Sequence, residues 1–123
     1  PYARLIREIK GAAVVVLPSL YEGQPIAALE AMACGKPLVA FDFPYAREFI
    51  THEYNGLLAR AYDVRDLCDK VALLLSEKNF RRRIGENAQR YVRRTHNWDF
   101  IVEEYLNVYE NVLGAAKPRV TPA

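Results

Sequence analysis

The sequence predicts an α/β domain, a doubly wound parallel sheet followed by a block of C-terminal helices. Three observations carry this. Short apolar runs, Ala12 to Leu17, Leu38 to Phe41 and Leu57 to Ala59, alternate with helical patterns. The first run holds three successive valines, Val14 to Val16, as expected of a strand covered on both faces and therefore read as central rather than at an edge. From Asp63 onward the periodicity is helical throughout. In an open parallel sheet the ligand sits beyond the carboxyl ends of the strands, and the loop after Leu17 lies at such an end.

Each element has a local reason. Leu5, Ile6 and Ile9 recur at helical spacing among charged residues, so Tyr2 to Lys10 reads as a helix with Gly11 as its stop. Pro18 to Gly23 is a loop by composition. Pro25 fits the first position of a helix running to Cys34, with Gly35 as a left-handed cap and Pro37 just beyond. Tyr45 to Ile50 reads as a short helix and Asn55-Gly56 as a turn before the third strand. Asp63 caps a helix whose stripe is Leu67, Val71, Leu74 and Leu75, and a second helix spans Asn79 to about Thr95. A third, Trp98 to Leu113, carries Ile101, Val102, Tyr105, Leu106, Tyr109 and Val112 on one side. The chain enters its first helical pattern directly at Pro1, which reads as the end of a longer element. The expectation is a piece of a larger protein, residues 1–116 forming part of one domain and 117–123 a disordered tail.

Composition narrows the function classes. At 123 residues, 51% hydrophobic and 26% charged, the chain matches an ordinary globular domain. A net charge of +2 falls well short of the positive field of a dedicated nucleic-acid binder, so no nucleic-acid partner is expected. Cys34 and Cys68 lack the spacing of a zinc site or redox pair and read as reduced thiols, in keeping with a cytoplasmic location. The longest apolar stretches, Ala12 to Leu17 and Val71 to Leu75, are too short to span a bilayer. Arg81 to Arg83, Arg90, Arg93 and Arg94 read as a solvated face partly neutralised by Glu86, and peripheral contact with an anionic membrane surface is the second reading of the same charges. His52 and His96 stand in polar stretches without a nucleophile at useful spacing and read as surface or capping residues. Ser19 lacks the glycine-flanked elbow of a hydrolase. Trp98, Tyr105 and Tyr109 read as a packing stripe, one that could serve a helix crossing to another domain.

One helix carries a chemical anomaly. Pro25 to Cys34 is apolar all round except for Glu30, and such a helix is normally covered on every side. The neighbours of Glu30 at helical spacing are Ile26, Ala27, Ala33 and Cys34, so no cation stands one turn away. A buried, lone carboxylate costs several kcal/mol, so either this side of the helix faces water or a ligand offers hydroxyl donors, as a vicinal diol such as ribose does. Glu22 lies in the loop entering the same helix, beside Gly23, which permits close backbone approach. The free amides and dipole of the helix start suit a pyrophosphate, and with Pro25 unable to donate the donors would be Gln24, Ile26 and Ala27. A sugar nucleotide is one of several ligands compatible with this arrangement.

The segment Pro18-Ser-Leu-Tyr-Glu-Gly-Gln-Pro-Ile-Ala-Ala-Leu-Glu-Ala-Met-Ala-Cys-Gly-Lys-Pro-Leu-Val-Ala40 resembles the signature of the retaining glycosyltransferases of family 4, which have the two-domain GT-B fold. The resemblance includes Glu22 and Glu30 with seven residues between them, and continues through Glu48-Phe-Ile50, Asn55 to Leu58, Ile84 to Ala88 and the Trp98 to Tyr109 helix. It implies the donor-binding, Rossmann-like C-terminal half of such an enzyme, with a nucleoside diphosphate sugar as donor and a hexose transferred with retention. By the resemblance, Glu30 binds the ribose hydroxyls, Glu22 contacts the transferred sugar as the catalytic residue, and the amides of Gly23, Gln24, Pro25 and Ile26 form the phosphate-receiving turn, proline itself donating nothing. It implies no metal and no cofactor beyond the donor, whose base (UDP- or GDP-sugar) stays open, and an N-terminal acceptor-binding domain outside this chain. A piece of this size is expected to be inactive by itself. A non-catalytic binding or assembly module, or a phosphorylase or synthase on the same fold, is the alternative. One departure is visible: the family often has Gly-Gly after the second strand, whereas this chain reads Phe41-Asp-Phe-Pro-Tyr-Ala-Arg-Glu48.

Overall fold

The computed structural model describes residues 1–115. The elements are α1 (Tyr2–Gly11), β1 (Val15–Leu17), α2 (Ile26–Ala33), β2 (Leu38–Phe41), α3 (Pro44–Arg47), β3 (Leu57–Ala59), α4 (Val64–Ser76), α5 (Lys78–Thr95) and α6 (Trp98–Ala115). The three strands form a parallel sheet in the order β1-β2-β3, with Val16 opposite Val39 and Ala40 opposite Leu58. The α/β alternation and the closing helices are thus as expected. The boundary at residue 116 and the tail 117–123 lie outside the described residues.

All four residues of β2 are buried, because successive side chains point to opposite faces and both faces are covered. Leu38 and Ala40 join Ala28 and Met32 of α2, Tyr45 and Ala46 of α3, and Ala88 and Val92 of α5. Val39 and Phe41 turn the other way, to Leu57, Ala59, Leu67, Leu74 and Ile84. This is the doubly wound arrangement, and it corrects the expectation for the first strand. Among the described residues β1 is an edge and β2 is central; the strand shortens to three residues and Val16 is 38% exposed. Three successive valines signal a strand, but the number of its neighbours is a tertiary matter.

Local signals set two of the helix ends clearly. The Asp63 carboxylate accepts from the Asp66 amide at 2.9 Å, capping α4 as expected. At the end of α2, Gly35 has φ +71, its N–H donates to Met32 O at 2.9 Å and that of Lys36 to Ala31 O at 3.0 Å, a Schellman closure. Gly85, inside α5, has a different reason. A Cβ there would stand 2.2 Å from Gly35 O, so the close approach of α5 to the end of α2 depends on its absence.

Other expectations change. The short helix runs from Pro44 to Arg47 rather than from Tyr45 to Ile50, because Pro44 supplies the helical φ at its start. In the turn before β3 the left-handed residue is Glu53, at φ 61, while Asn55 is 1% exposed and acts as a brace, accepting from Thr51 N at 2.7 Å and donating to Phe49 O at 3.0 Å. Leu75 is exposed and so leaves the α4 stripe. The largest correction concerns α6: Val102, Tyr105, Leu106, Tyr109 and Val112 are exposed, and Trp98 is 80% exposed. Helical periodicity identified the stripe, yet among the described residues it is not buried in packing.

Candidate functional site

The loop from Pro18 to Pro25 leaves the carboxyl end of β1 and leads into α2. Pro25 precedes the helix as its cap with φ -79 and ψ 76, so the helix starts at Ile26, one residue later than the sequence suggested. The Ile26 N–H donates to Gln24 O at 2.9 Å and the Ala28 N–H to Pro25 O at 2.9 Å. Among the described residues, the amides here without an internal acceptor are therefore those of Gly23, Gln24 and Ala27. The expected set had included Ile26, whose amide is used by the turn that forms at Pro25. What remains is an exposed group of donors at the positive end of a helix dipole.

Glu30 lies one turn further along. The expectation that α2 is covered on every side is not met: Ala28, Ala31 and Met32 are buried, but Ile26, Ala27 and Ala33, which share the Glu30 face, are exposed, and Glu30 itself is half-buried. This face forms one wall of a cleft of about 960 Å³, whose lining includes Tyr2, Gln24, Ile26, Glu30, Trp98 and Tyr105. The walls are thus α1, α2, the end of α5 and α6. The Tyr2 phenol is held above its ordinary value of 10.0, first by the nearby Glu30 carboxylate, then by desolvation and by the charge of Cys34. A carboxylate in this setting offers its lone pairs to hydroxyl donors within a largely apolar, aromatic cleft.

Glu22 is not among the residues that line this cleft. Ser19 Oγ donates to Glu22 Oε1 at 2.6 Å, and the Tyr45 hydroxyl donates to Ser19 O at 2.7 Å. The Tyr45 ring is 8% exposed and stacks on Phe43 at 6.3 Å. Burial, and then the charge of Glu22, hold the Tyr45 phenol above its ordinary value. Beside it, the Arg47 guanidinium donates to both oxygens of Asp42, at 2.6 and 2.8 Å, a bidentate pair. That hydrogen bond lowers the Asp42 carboxyl and raises Arg47.

The structure therefore brings Gln24, Ile26 and Glu30 into one cleft and leaves Glu22, Gly23 and Pro25 outside its lining, on the loop beside it. Three features escaped the sequence. Tyr2 had been read as one residue of a surface helix, Tyr45 as the start of a short one, and the α6 aromatics as packing. For Tyr45 a signal was present, the glycine-free segment after β2; the Tyr2 to Glu30 contact joins distant positions and leaves no trace in local pattern. Other polar residues make local contacts. His52 Nδ1 accepts from Leu58 N at 2.9 Å, Arg82 faces Glu86 at 3.8 Å and Arg83 lies over the Phe80 ring at 5.2 Å.

Residues 1–91 match the model of the family described as glycosyl transferases group 1. The chain belongs to this family. Within it, the chain is similar to the N,N'-diacetylbacillosaminyl-diphospho-undecaprenol alpha-1,3-N-acetylgalactosaminyltransferase of Campylobacter jejuni, at 33% identity over 89% of the chain and 29% of that protein. Two solved structures share its architecture. Sucrose-phosphate synthase from Thermosynechococcus elongatus superposes with a TM-score of 0.82 at 29% identity, over 89% of this chain and 27% of that one. S. aureus TarM, in a crystal with fondaparinux, alpha-GlcNAc-glycerol and UDP, does so with a TM-score of 0.79 at 29% identity, over 85% and 22%. This group 1 chain has the Rossmann-like fold found in GT-B glycosyltransferases, and it spans less than a third of the length of the curated relatives it matches. Among its described residues no helix is long and apolar enough to cross a membrane.

Proposed function

We propose that this chain is the donor-binding part of a retaining glycosyltransferase that transfers a hexose from a nucleoside diphosphate sugar to an acceptor bound by an N-terminal domain. The observation that carries the proposal is the α2 face, where a half-buried carboxylate, Glu30, stands on the wall of a cleft one turn below a group of unpaired amides. In this reading Glu30 accepts from the ribose hydroxyls, the amides of Gly23, Gln24 and Ala27 receive the diphosphate, and Glu22 contacts the transferred sugar. Departure of the diphosphate is then stabilised by fixed N–H dipoles aimed at the developing charge, without a metal ion. The enzyme acts in the cytoplasm, with peripheral contact to an anionic membrane surface through the arginines of α5. The UDP in the TarM crystal supports a nucleotide site on this fold.

The test is donor affinity in the complete protein. Glu30→Ala removes an acceptor for two hydroxyls and is expected to weaken nucleoside diphosphate binding by about 2 to 3 kcal/mol, some thirtyfold or more by calorimetry. Unchanged affinity sinks the role given to Glu30. A second reading, a non-catalytic assembly module, draws on the exposed apolar face of α6; sugar transfer by the complete protein excludes it, and donor binding without turnover favours it.

A further inference from the structure

We infer that Tyr45 is a positioning residue for Glu22, its phenol tethering the Pro18 to Gly23 loop and so setting where the Glu22 carboxylate stands at the start of α2. Among the described residues, the bond from Tyr45 Oη to Ser19 O at 2.7 Å is the sole hydrogen bond joining residues 18–23 to the rest of the molecule. The loop then bonds to itself, Ser19 Oγ donating to Glu22 Oε1 at 2.6 Å. One residue therefore presents its carbonyl to Tyr45 and its hydroxyl to Glu22. The other end of the tether is firm. The Tyr45 ring is buried and stacks on Phe43 at 6.3 Å, and Phe43 meets Phe41 of the central strand edge-on at 6.3 Å and Tyr62 at 5.3 Å. The loop is thus pinned to the sheet through one hydrogen bond and a line of rings.

The arrangement fixes one side of the carboxylate. Ser19 occupies Oε1 through a short, charge-assisted bond and leaves the other oxygen to a ligand. Holding a charged group in place before the ligand arrives reduces the ordering cost of binding. The phenol stays protonated at neutral pH, since burial and the nearby negative charge oppose its ionisation, so the donor is always available. The inference rests on the reading in which Glu22 contacts the transferred sugar.

The test compares Tyr45→Phe, Ser19→Ala and Glu22→Gln in the complete protein, titrating three pairs of probes: UDP with UDP-N-acetylglucosamine, GDP with GDP-mannose, and ADP with ADP-glucose. For the pair that the wild type binds, Tyr45→Phe is expected to weaken the sugar nucleotide about fivefold, the worth of one hydrogen bond, and to leave the nucleoside diphosphate unchanged. Amide hydrogen exchange in residues 19–23 should rise while that of β2 stays as in the wild type. Ser19→Ala, which leaves the core untouched, is expected to act in the same direction and keeps the question open to measurement should Tyr45→Phe fold poorly. Equal weakening of both members of the pair marks a merely structural role and overturns the inference. So does a wild-type sugar affinity in Tyr45→Phe and Ser19→Ala when Glu22→Gln lowers it. If Glu22→Gln itself changes nothing, or the wild type binds no pair, the donor reading fails instead.

Discussion

The two sides of this molecule are built on different terms. On one side the two faces of the sheet, packed on the buried side of α2 and on α3, α4 and α5, form a core in which Met32, Leu38, Leu57, Leu74 and Ile84 are fully buried, and among the described residues no buried side-chain polar atom lacks a partner. On the other, α1, the Glu30 face of α2 and α6 present apolar and aromatic side chains to an open cleft. The first side uses its apolar surface for stability. The second keeps it available, and the carboxylate and amides that could engage a ligand are found there. Residues of similar chemistry on the two sides should therefore differ sharply in what they contribute to folding.

The largest contrast is expected from a matched pair of truncations. Met32→Ala should lower unfolding free energy by about 3 kcal/mol, through lost transfer energy and a residual cavity, whereas Leu106→Ala on α6 should change it by less than about 0.5 kcal/mol. Urea denaturation read by circular dichroism measures both, and equal effects would erase the distinction. Next comes Gly85→Ala. The added Cβ, 2.2 Å from Gly35 O, cannot be accommodated by rotating a side chain, so the helices must separate, at about 2 to 3 kcal/mol; a neutral result would mean that the α2 to α5 contact is looser than its geometry. Asn55→Ala should cost about 1 to 2 kcal/mol by leaving Thr51 N and Phe49 O without their partner.

The smallest effect belongs to the surface pair beside the site. Asp42 has a folded pKa below its ordinary value of 3.8, because Arg47 donates to it. A depressed carboxyl stabilises the fold above the unfolded pKa and loses that contribution as pH falls through the folded one. Stability should therefore decline below about pH 4, and Asp42→Asn should remove part of that decline while costing no more than about 0.5 kcal/mol at neutral pH, since the pair is solvent-screened. A series of melting temperatures from pH 7 to pH 3 reads this directly.

Much of the candidate site was legible because its signals are local. The loop after Leu17, the helix from Pro25 and the lone carboxylate at Glu30 follow from residues within one or two turns of one another. Where the sequence misled, a competing hydrogen bond was the cause. The Ile26 amide was lost to a turn in which it donates to Gln24 O.

The order of elements, the Asp63 cap, the Gly35 closure and the two-faced burial of β2 were determined by sequence alone, since each depends on neighbours three or four residues apart or on simple alternation. Which strand became the edge, which face of α2 stayed open, and which tyrosine came to hold the loop were decided by tertiary structure. Those outcomes depend on contacts between residues as far apart as Ser19 and Tyr45, and such contacts follow from how the helices and sheet pack, with no period in the chain to announce them.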